Sequence, residues 1–110
     1  DEIAELYSRN LILSKDEITT ARAAVNRVAR QGRAGGIHLV VSTQKPDATS
    51  FDQTLKANLP AILCFPMPSQ AASVSALGTK RAYDLNPEIK GRAIWKYGPR
   101  MMEVQTYLFE

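Results

Sequence analysis

The chain has 110 residues, of which 45% are hydrophobic and 23% are charged, and its formal net charge is +3 at pH 7. This length holds one small domain, and the composition excludes a low-complexity or collagen-like chain. A net charge of this size is common among soluble proteins and identifies no partner, while a single cysteine, Cys64, excludes a disulfide framework.

The first predicted element is a helix from about Asp16 to Gln31. Ser14 and Glu17 have capping-box spacing at its start. One helical stripe is apolar and consists of Ile18, Ala21, Val25, Val28 and Ala29, and a different face carries Arg22, Asn26, Arg30 and Arg33. Four arginines and no acidic residue lie between positions 22 and 33, so this stretch concentrates positive charge that a phosphate backbone can use.

Glycines at 32, 35 and 36 predict the end of that helix. The apolar, β-branched run Ile37–Val41 then predicts a strand buried on both faces of a parallel sheet, with His38 as a core histidine rather than a ligand. A short helix from Phe51 to Lys56 and a second buried strand, Ala61–Phe65, follow.

Ser69 is predicted to cap a helix that runs to about Leu77, and Gly78–Pro87 is predicted to be a loop. A hairpin of Arg92–Tyr97 and Met101–Phe109 closes the chain. Strands that alternate with helices predict an α/β fold with a mostly parallel sheet. The hairpin aromatics Trp95, Tyr97 and Tyr107 have two interpretations, a stacking platform for single-stranded nucleic acid or core packing, and we favour packing.

Three segments resemble the FtsK/SpoIIIE family of DNA-pumping ATPases in content and order. They are Asp1–Leu6, Gly32–Pro46 and Leu55–Pro60. The resemblance loosens after Pro60, although Gly91-Arg92-Ala93 and the hairpin are similar to members from conjugative elements. It implies part of a RecA-like P-loop NTPase core, in which residues 1–110 form a single segment from the end of the Walker B strand to the hairpin. The Walker A half, with its phosphate-cradling lysine loop, is then expected to lie outside the chain.

The resemblance also implies roles for single residues. Asp1 would hold the Mg²⁺ shared with ATP, and Glu2 would polarise the attacking water. Gln44 resembles the sensor residue that touches the γ-phosphate, and Thr43 would assist it. Without the resemblance, an Asp-Glu pair is a solvated charge cluster, and Thr43 and Gln44 only satisfy backbone groups where a strand ends.

Basic residues are candidates for contact with DNA or a neighbouring subunit, or are merely hydrated. These residues are Arg30, Arg33 and Lys56. Family members carry arginines where this chain has Ile62 and Val74, which puts the arginine finger that acts across a subunit interface in doubt. Arg81, Arg92 and Arg100 are the alternative fingers.

We therefore expect the intact protein to hydrolyse ATP with Mg²⁺ in a ring, expected to be a hexamer, and to move double-stranded DNA during conjugation or segregation. We expect this chain alone to be inactive. The parent is expected in the cytoplasm, tethered to the inner face of the cell membrane through segments outside this chain. Two alternatives remain: a type VII secretion-like protein-export ATPase, and a degenerate assembly module that does not hydrolyse ATP.

Overall fold

The structure is a computed structural model that describes residues 15–44 and 53–107. The chain divides into two compact units, residues 1–59 and 60–110. Each unit is built around its own apolar cluster.

The first unit begins with the predicted helix, α1, which runs Lys15–Gln31. Asp16 and Glu17 lie in its first turn and Arg30 in its last, so both ends carry charges that oppose the helix dipole. The predicted cap residue Ser14 lies outside the described residues. Within the apolar stripe, Val25 and Ala29 pack inward. Val28 is exposed, so the buried stripe is narrower than predicted.

A tight glycine turn ends α1. The backbone continues as a 3-10 helix, Gly32–Gly35, and Gly36 then adopts a left-handed conformation with φ of 73°. The amide of Ile37 donates to the Gly32 carbonyl at 2.8 Å. Gly32 is buried, and a Cβ placed on it would lie 3.1 Å from the Cβ of Ile37. A side chain at position 32 would therefore crowd Ile37, and position 36 favours glycine for its backbone angle.

The segment after this turn differs from the prediction. Residues 37–44 are not in a strand, and from His38 onward their side chains alternate between exposed and half-buried. Val40 is 89% exposed. His38 is also exposed, so its assignment to a core was wrong. A strand that is buried on both faces needs hydrogen-bonded neighbours and cover on both sides, and no strand pairing involves this segment within the described residues.

The short helix α2, Gln53–Ala57, supplies the centre of the first unit. Leu55 is fully buried, and the partly buried side chains against it come from α1, from the segment 37–44 and from the residues just after α2: Val25, Ala29, Leu39, Val41 and Leu59. The predicted helix is therefore present, although Phe51 and Asp52 lie outside the described residues.

The second unit contains a three-stranded sheet in the order β1-β2-β3, where β1 is Ala61–Cys64, β2 is Arg92–Tyr97 and β3 is Arg100–Gln105. Both pairings are antiparallel. The mixture of helices and strands agrees with an α/β chain, but the described sheet is not the parallel one predicted. For β2 and β3 the cause is local, because Gly98 and Pro99 join them as a hairpin, and a connection this short forces neighbouring strands to run in opposite directions.

Two helices connect β1 to β2. The first, α3, runs Gln70–Leu77, and the hydroxyl of Ser69 caps it by accepting from the Ala72 amide at 3.1 Å. A second helix, α4 at Arg81–Asp84, lies where the sequence predicted a loop. Four-residue helices carry too little periodic signal to be separated from a turn by pattern alone.

One face of the sheet packs against these helices and forms the core. Its buried members are Cys64, Ala76, Leu77, Ala82, Leu85 and Ile94. Burial raises the pKa of the Cys64 thiol, because the interior disfavours a thiolate. The thiol is therefore neutral at pH 7 and behaves as a small apolar side chain.

A buried hydroxyl joins the two connecting helices. Ser73 on α3 has no exposed surface. Its Oγ donates to the Thr79 carbonyl at 2.6 Å and accepts from the Ala82 amide at 3.1 Å. Both bonds satisfy backbone groups around the turn between α3 and α4, so a single side chain fixes how the chain passes from one helix to the next.

We predict that Ser73→Ala destabilises the chain by about 1–3 kcal/mol, because it leaves a buried amide and a carbonyl without partners. Chemical denaturation followed by circular dichroism measures the loss. Ser42→Ala, the same change at an exposed position of the first unit, serves as the control and is expected to change the free energy of unfolding by less than about 0.5 kcal/mol. Equal midpoints for the two variants would contradict the assigned role.

Candidate functional site

The predicted catalytic and metal residues Asp1 and Glu2 lie outside the described residues. The metal and catalytic roles that the resemblance implies for these two residues therefore stay predictions. Within residues 15–44 and 53–107, no group of three or more His, Cys, Asp or Glu side chains is placed to hold a metal ion. In this part of the chain, the residues given nucleotide roles are Thr43 and Gln44.

Thr43 and Gln44 end the extended segment that follows the glycine turn. Thr43 is half-buried, on the same alternating side as Leu39 and Val41, and Gln44 is exposed on the opposite side. An exposed amide carries both a donor and an acceptor, as a residue that contacts phosphate oxygens or water requires.

Two contacts fix where this segment runs. At its start, the Gly32–Gly36 turn holds Ile37 through the hydrogen bond to the Gly32 carbonyl. Further along, Leu39 and Val41 pack against the fully buried Leu55. The direction of Gln44 therefore depends on a turn at one end and on apolar packing in the middle, and not on a hydrogen-bonded ladder.

The basic candidates lie near the end of α1. Arg30, in the last turn, and Arg33, in the 3-10 helix, are exposed, whereas Lys56 on α2 is half-buried. Arg27 is also exposed, and its Nε donates to Gln31 Oε1 at 3.2 Å. The end of α1 thus presents a cluster of guanidinium groups, whose planar donors fit phosphate oxygens.

The positions where family members carry arginines occupy different environments. Ile62 is half-buried and packs against the core of the second unit, and Val74 on α3 is 51% exposed. An arginine at position 62 would thus begin on the packed side of β1, while one at 74 would reach solvent directly.

The three alternative finger arginines also differ. Arg92 is half-buried and its Nη1 lies 3.6 Å from Glu103 Oε1, across the hairpin. Arg81 on α4 and Arg100 at the hairpin turn are exposed. A residue that reaches into another subunit's site needs an accessible guanidinium, so Arg92 is the least suited of the three.

The hairpin aromatics are not in the core. Trp95 is 36% exposed, Tyr97 55% and Tyr107 90%. The preferred interpretation, core packing, was therefore wrong. The sequence carried a signal for this arrangement, because successive residues of a strand lie on opposite faces. Trp95 and Tyr97 therefore share one face of β2, and Ile94 lies on the other. Ile94 is the buried one.

No protein-family model matches the chain. Among curated proteins, the DNA translocase FtsK of Caulobacter vibrioides is 35% identical over 85 residues, which is 77% of this chain and 10% of that protein. The DNA translocase FtsK of Staphylococcus aureus is 33% identical over the same shares. The chain thus spans about a tenth of the length of these relatives.

A solved structure matches the whole chain. It is the pCW3 conjugation coupling protein TcpA, in its monomer form with ATPγS. The TM-score is 0.88 and the sequences are 31% identical, and the match covers 100% of this chain and 31% of that one. The two backbones therefore agree over the whole chain, and not only in single helices or strands.

We predict that Gly32→Ala destabilises the first unit by about 1–3 kcal/mol, because the new Cβ overpacks against Ile37. Gly35→Ala is the matched control, since a Cβ there would lie 4.0 Å from Ile37 Cδ1, an ordinary contact. Hydrogen exchange of the amides at 39–44 is the measurement. Faster exchange in Gly32→Ala but not in Gly35→Ala is expected, and equal rates in both would disprove the steric argument.

Proposed function

We propose, from the chain's membership in the FtsK/SpoIIIE type of translocases, that the protein containing it is an ATPase that moves double-stranded DNA. The carrying observation is the similarity of the whole chain to a conjugation coupling protein bound to an ATP analogue, together with the identity to DNA translocases. In this proposal residues 1–110 are the part of a RecA-like core from the end of its Walker B strand to its hairpin.

The nucleotide roles follow from the same premise. Asp1 would hold Mg²⁺, Glu2 would orient and polarise a water molecule, and Gln44, assisted by Thr43, would report the γ-phosphate. The exposed position of Gln44 at the end of an extended segment supports its role. Among the described residues, no group of three or more His, Cys, Asp or Glu side chains is placed to hold a metal ion. The bound Mg²⁺-ATP would supply the scissile phosphoanhydride.

The proposed substrate is duplex DNA in a homo-oligomeric ring, with a hexamer as the expected size. Arg30 and Arg33 are the proposed contacts with DNA or the next subunit, since both side chains are exposed and the two residues are close in sequence. Lys56 is a weaker candidate because it is half-buried. An exposed arginine, Arg81 or Arg100, would serve as a finger if one exists.

The proposed process is DNA transfer, because the structural neighbour is a conjugation coupling protein. No helix among the described residues has the length and apolar character to cross a membrane. A cytoplasmic motor tethered to the membrane through other segments of its parent is the arrangement that we propose.

We predict that Gln44→Ala in the full-length protein lowers kcat for ATP hydrolysis by about 10²-fold, the usual loss when one polar group that stabilises a transition state is removed. Glu2→Gln is expected to lower it by at least as much while nucleotide binding is retained. Phosphate release, measured with and without DNA, is the readout. Gln70→Ala, which alters an exposed glutamine of the second unit, is the control and is expected to behave as wild type.

The isolated 110-residue chain is expected to release no phosphate above a blank, because its sequence contains no Walker A loop. Hydrolysis by the isolated chain would refute the assignment of the cradle to other segments. DNA movement that continues in full-length Glu2→Gln would instead favour a module that does not hydrolyse ATP.

We predict that Arg30→Ala and Arg33→Ala each weaken duplex binding by the full-length protein. Each variant should also reduce the slope of log affinity against log salt concentration by roughly 0.9 per lost phosphate contact. Lys90→Ala removes one positive charge from an exposed position of the second unit and should leave this slope unchanged. Fluorescence anisotropy over a salt series provides the slopes. The same loss in all three variants would mean that only net charge matters.

A further inference from the structure

The face of the sheet that points away from the core is apolar and partly accessible, although Ala93 on this face is fully buried. Successive residues of a strand point to opposite faces, and residues paired across strands share a face. Leu63, Trp95 and Met102 pair in one row across all three strands. They are 43%, 36% and 52% exposed, respectively. The opposite face carries Cys64 and Ile94, which are buried.

Two aromatic rings lie along the central strand on this face. Trp95 and Tyr97 are two residues apart, which separates them by ~7 Å along the strand. Stacked bases rise by about 3.4 Å along one strand of a duplex. Rings at twice that spacing match a single strand that is extended enough to place one base on each ring. A duplex keeps its bases stacked and paired, so it cannot use such a platform without opening.

The charge on this face favours a polyanion. Arg100 pairs with Tyr97 at the hairpin turn, so its exposed guanidinium group lies on the same face as the two rings. The one carboxylate of the described part of the hairpin belongs to Glu103. That residue pairs with Ile94 and therefore lies on the opposite face, where its carboxylate is 3.6 Å from Arg92. Rings bordered by an arginine and by no acid form the combination that binds single strands through stacking and phosphate contacts.

We propose that this sheet face binds single-stranded nucleic acid, with Trp95 and Tyr97 stacking on successive bases and Arg100 contacting phosphate. This surface, the aromatic face, consists of Leu63, Trp95, Tyr97, Arg100 and Met102. The proposal goes beyond the movement of duplex DNA and depends on neither Gln44 nor the basic end of α1. A polypeptide is the competing occupant, because Leu63 and Met102 would suit one equally well. The two aligned rings and the arginine favour nucleic acid.

The chain contains a built-in reporter, because Trp95 is its one tryptophan. We expect an oligothymidylate of about 16 nucleotides, the upper site size of one single-strand-binding module, to quench Trp95 fluorescence in the 110-residue chain. A duplex of the same length, added at the same concentration, should leave the Trp95 emission unchanged. Emission that does not change with the single strand, as expected if polypeptide covers this face, overturns the proposal.

Variants test the same point with a dye-labelled oligonucleotide and fluorescence anisotropy. Tyr97→Ala should weaken binding about fivefold or more, the usual effect of one lost base stack. Trp95→Phe should weaken it less, because a ring is kept. Tyr83→Ala, which removes an exposed aromatic residue on α4, is the matched control and should leave affinity unchanged. Equal affinities for wild type, Tyr97→Ala and Tyr83→Ala would overturn the proposal.

Arg100→Ala should reduce the salt slope by roughly 0.7, the value for one phosphate contact with a single strand. Arg100→Lys should restore most of the slope because the charge is kept. Loss of single-strand binding in Tyr97→Ala, with duplex movement by the full-length protein intact, would separate this proposal from the motor function. A slope unaffected by Arg100→Ala would remove Arg100 from the proposed site.

Discussion

Burial of Leu55 is the interaction on which the geometry of the first unit depends. This one side chain, with no exposed surface, is the point where α1, the segment 37–44 and α2 meet. Fully burying a leucine contributes about 1.5–3 kcal/mol, and here that energy substitutes for the hydrogen-bonded ladder that segment 37–44 lacks. Leu39 and Val41 pack against Leu55, and Gln44, where the backbone bends, is exposed.

The second unit is organised by a sheet with one covered face. Two helices linked by the Ser73 hydrogen bonds cover that face, and Lys96 supports the packing by donating from Nζ to the Leu77 carbonyl at the end of α3. A lysine on the covered face is tolerated because its ammonium group reaches an unpaired helix carbonyl. The hairpin is further closed at its open end, where Thr106 donates to the Gly91 carbonyl through both its amide and its hydroxyl at 2.9 Å.

The sequence predicted the elements whose signals are local. The long helix α1, the Ser69 cap and the hairpin depend on periodicity, capping and turn residues that lie within a few positions of one another. It failed where burial depends on neighbours distant in sequence. The run Ile37–Val41 has the composition of a doubly buried strand, but composition does not specify which strands pair with it. For the candidate site, the roles of Gln44 and Arg33 stay predictions, since exposure is what the structure adds for these two residues, and Asp1 and Glu2 lie outside the described residues.

The two units expose different types of apolar side chain. In the first, the exposed apolar side chains of segment 37–44 are the aliphatic Ile37 and Val40, and an aliphatic surface gains free energy only through burial against another apolar surface. In the second, the exposed row includes an indole and continues to a phenol ring and a guanidinium group. Such groups gain additional energy from flat, electron-rich or anionic partners. The first surface therefore suits packing against polypeptide, and the aromatic face suits a ligand that has both rings and negative charge.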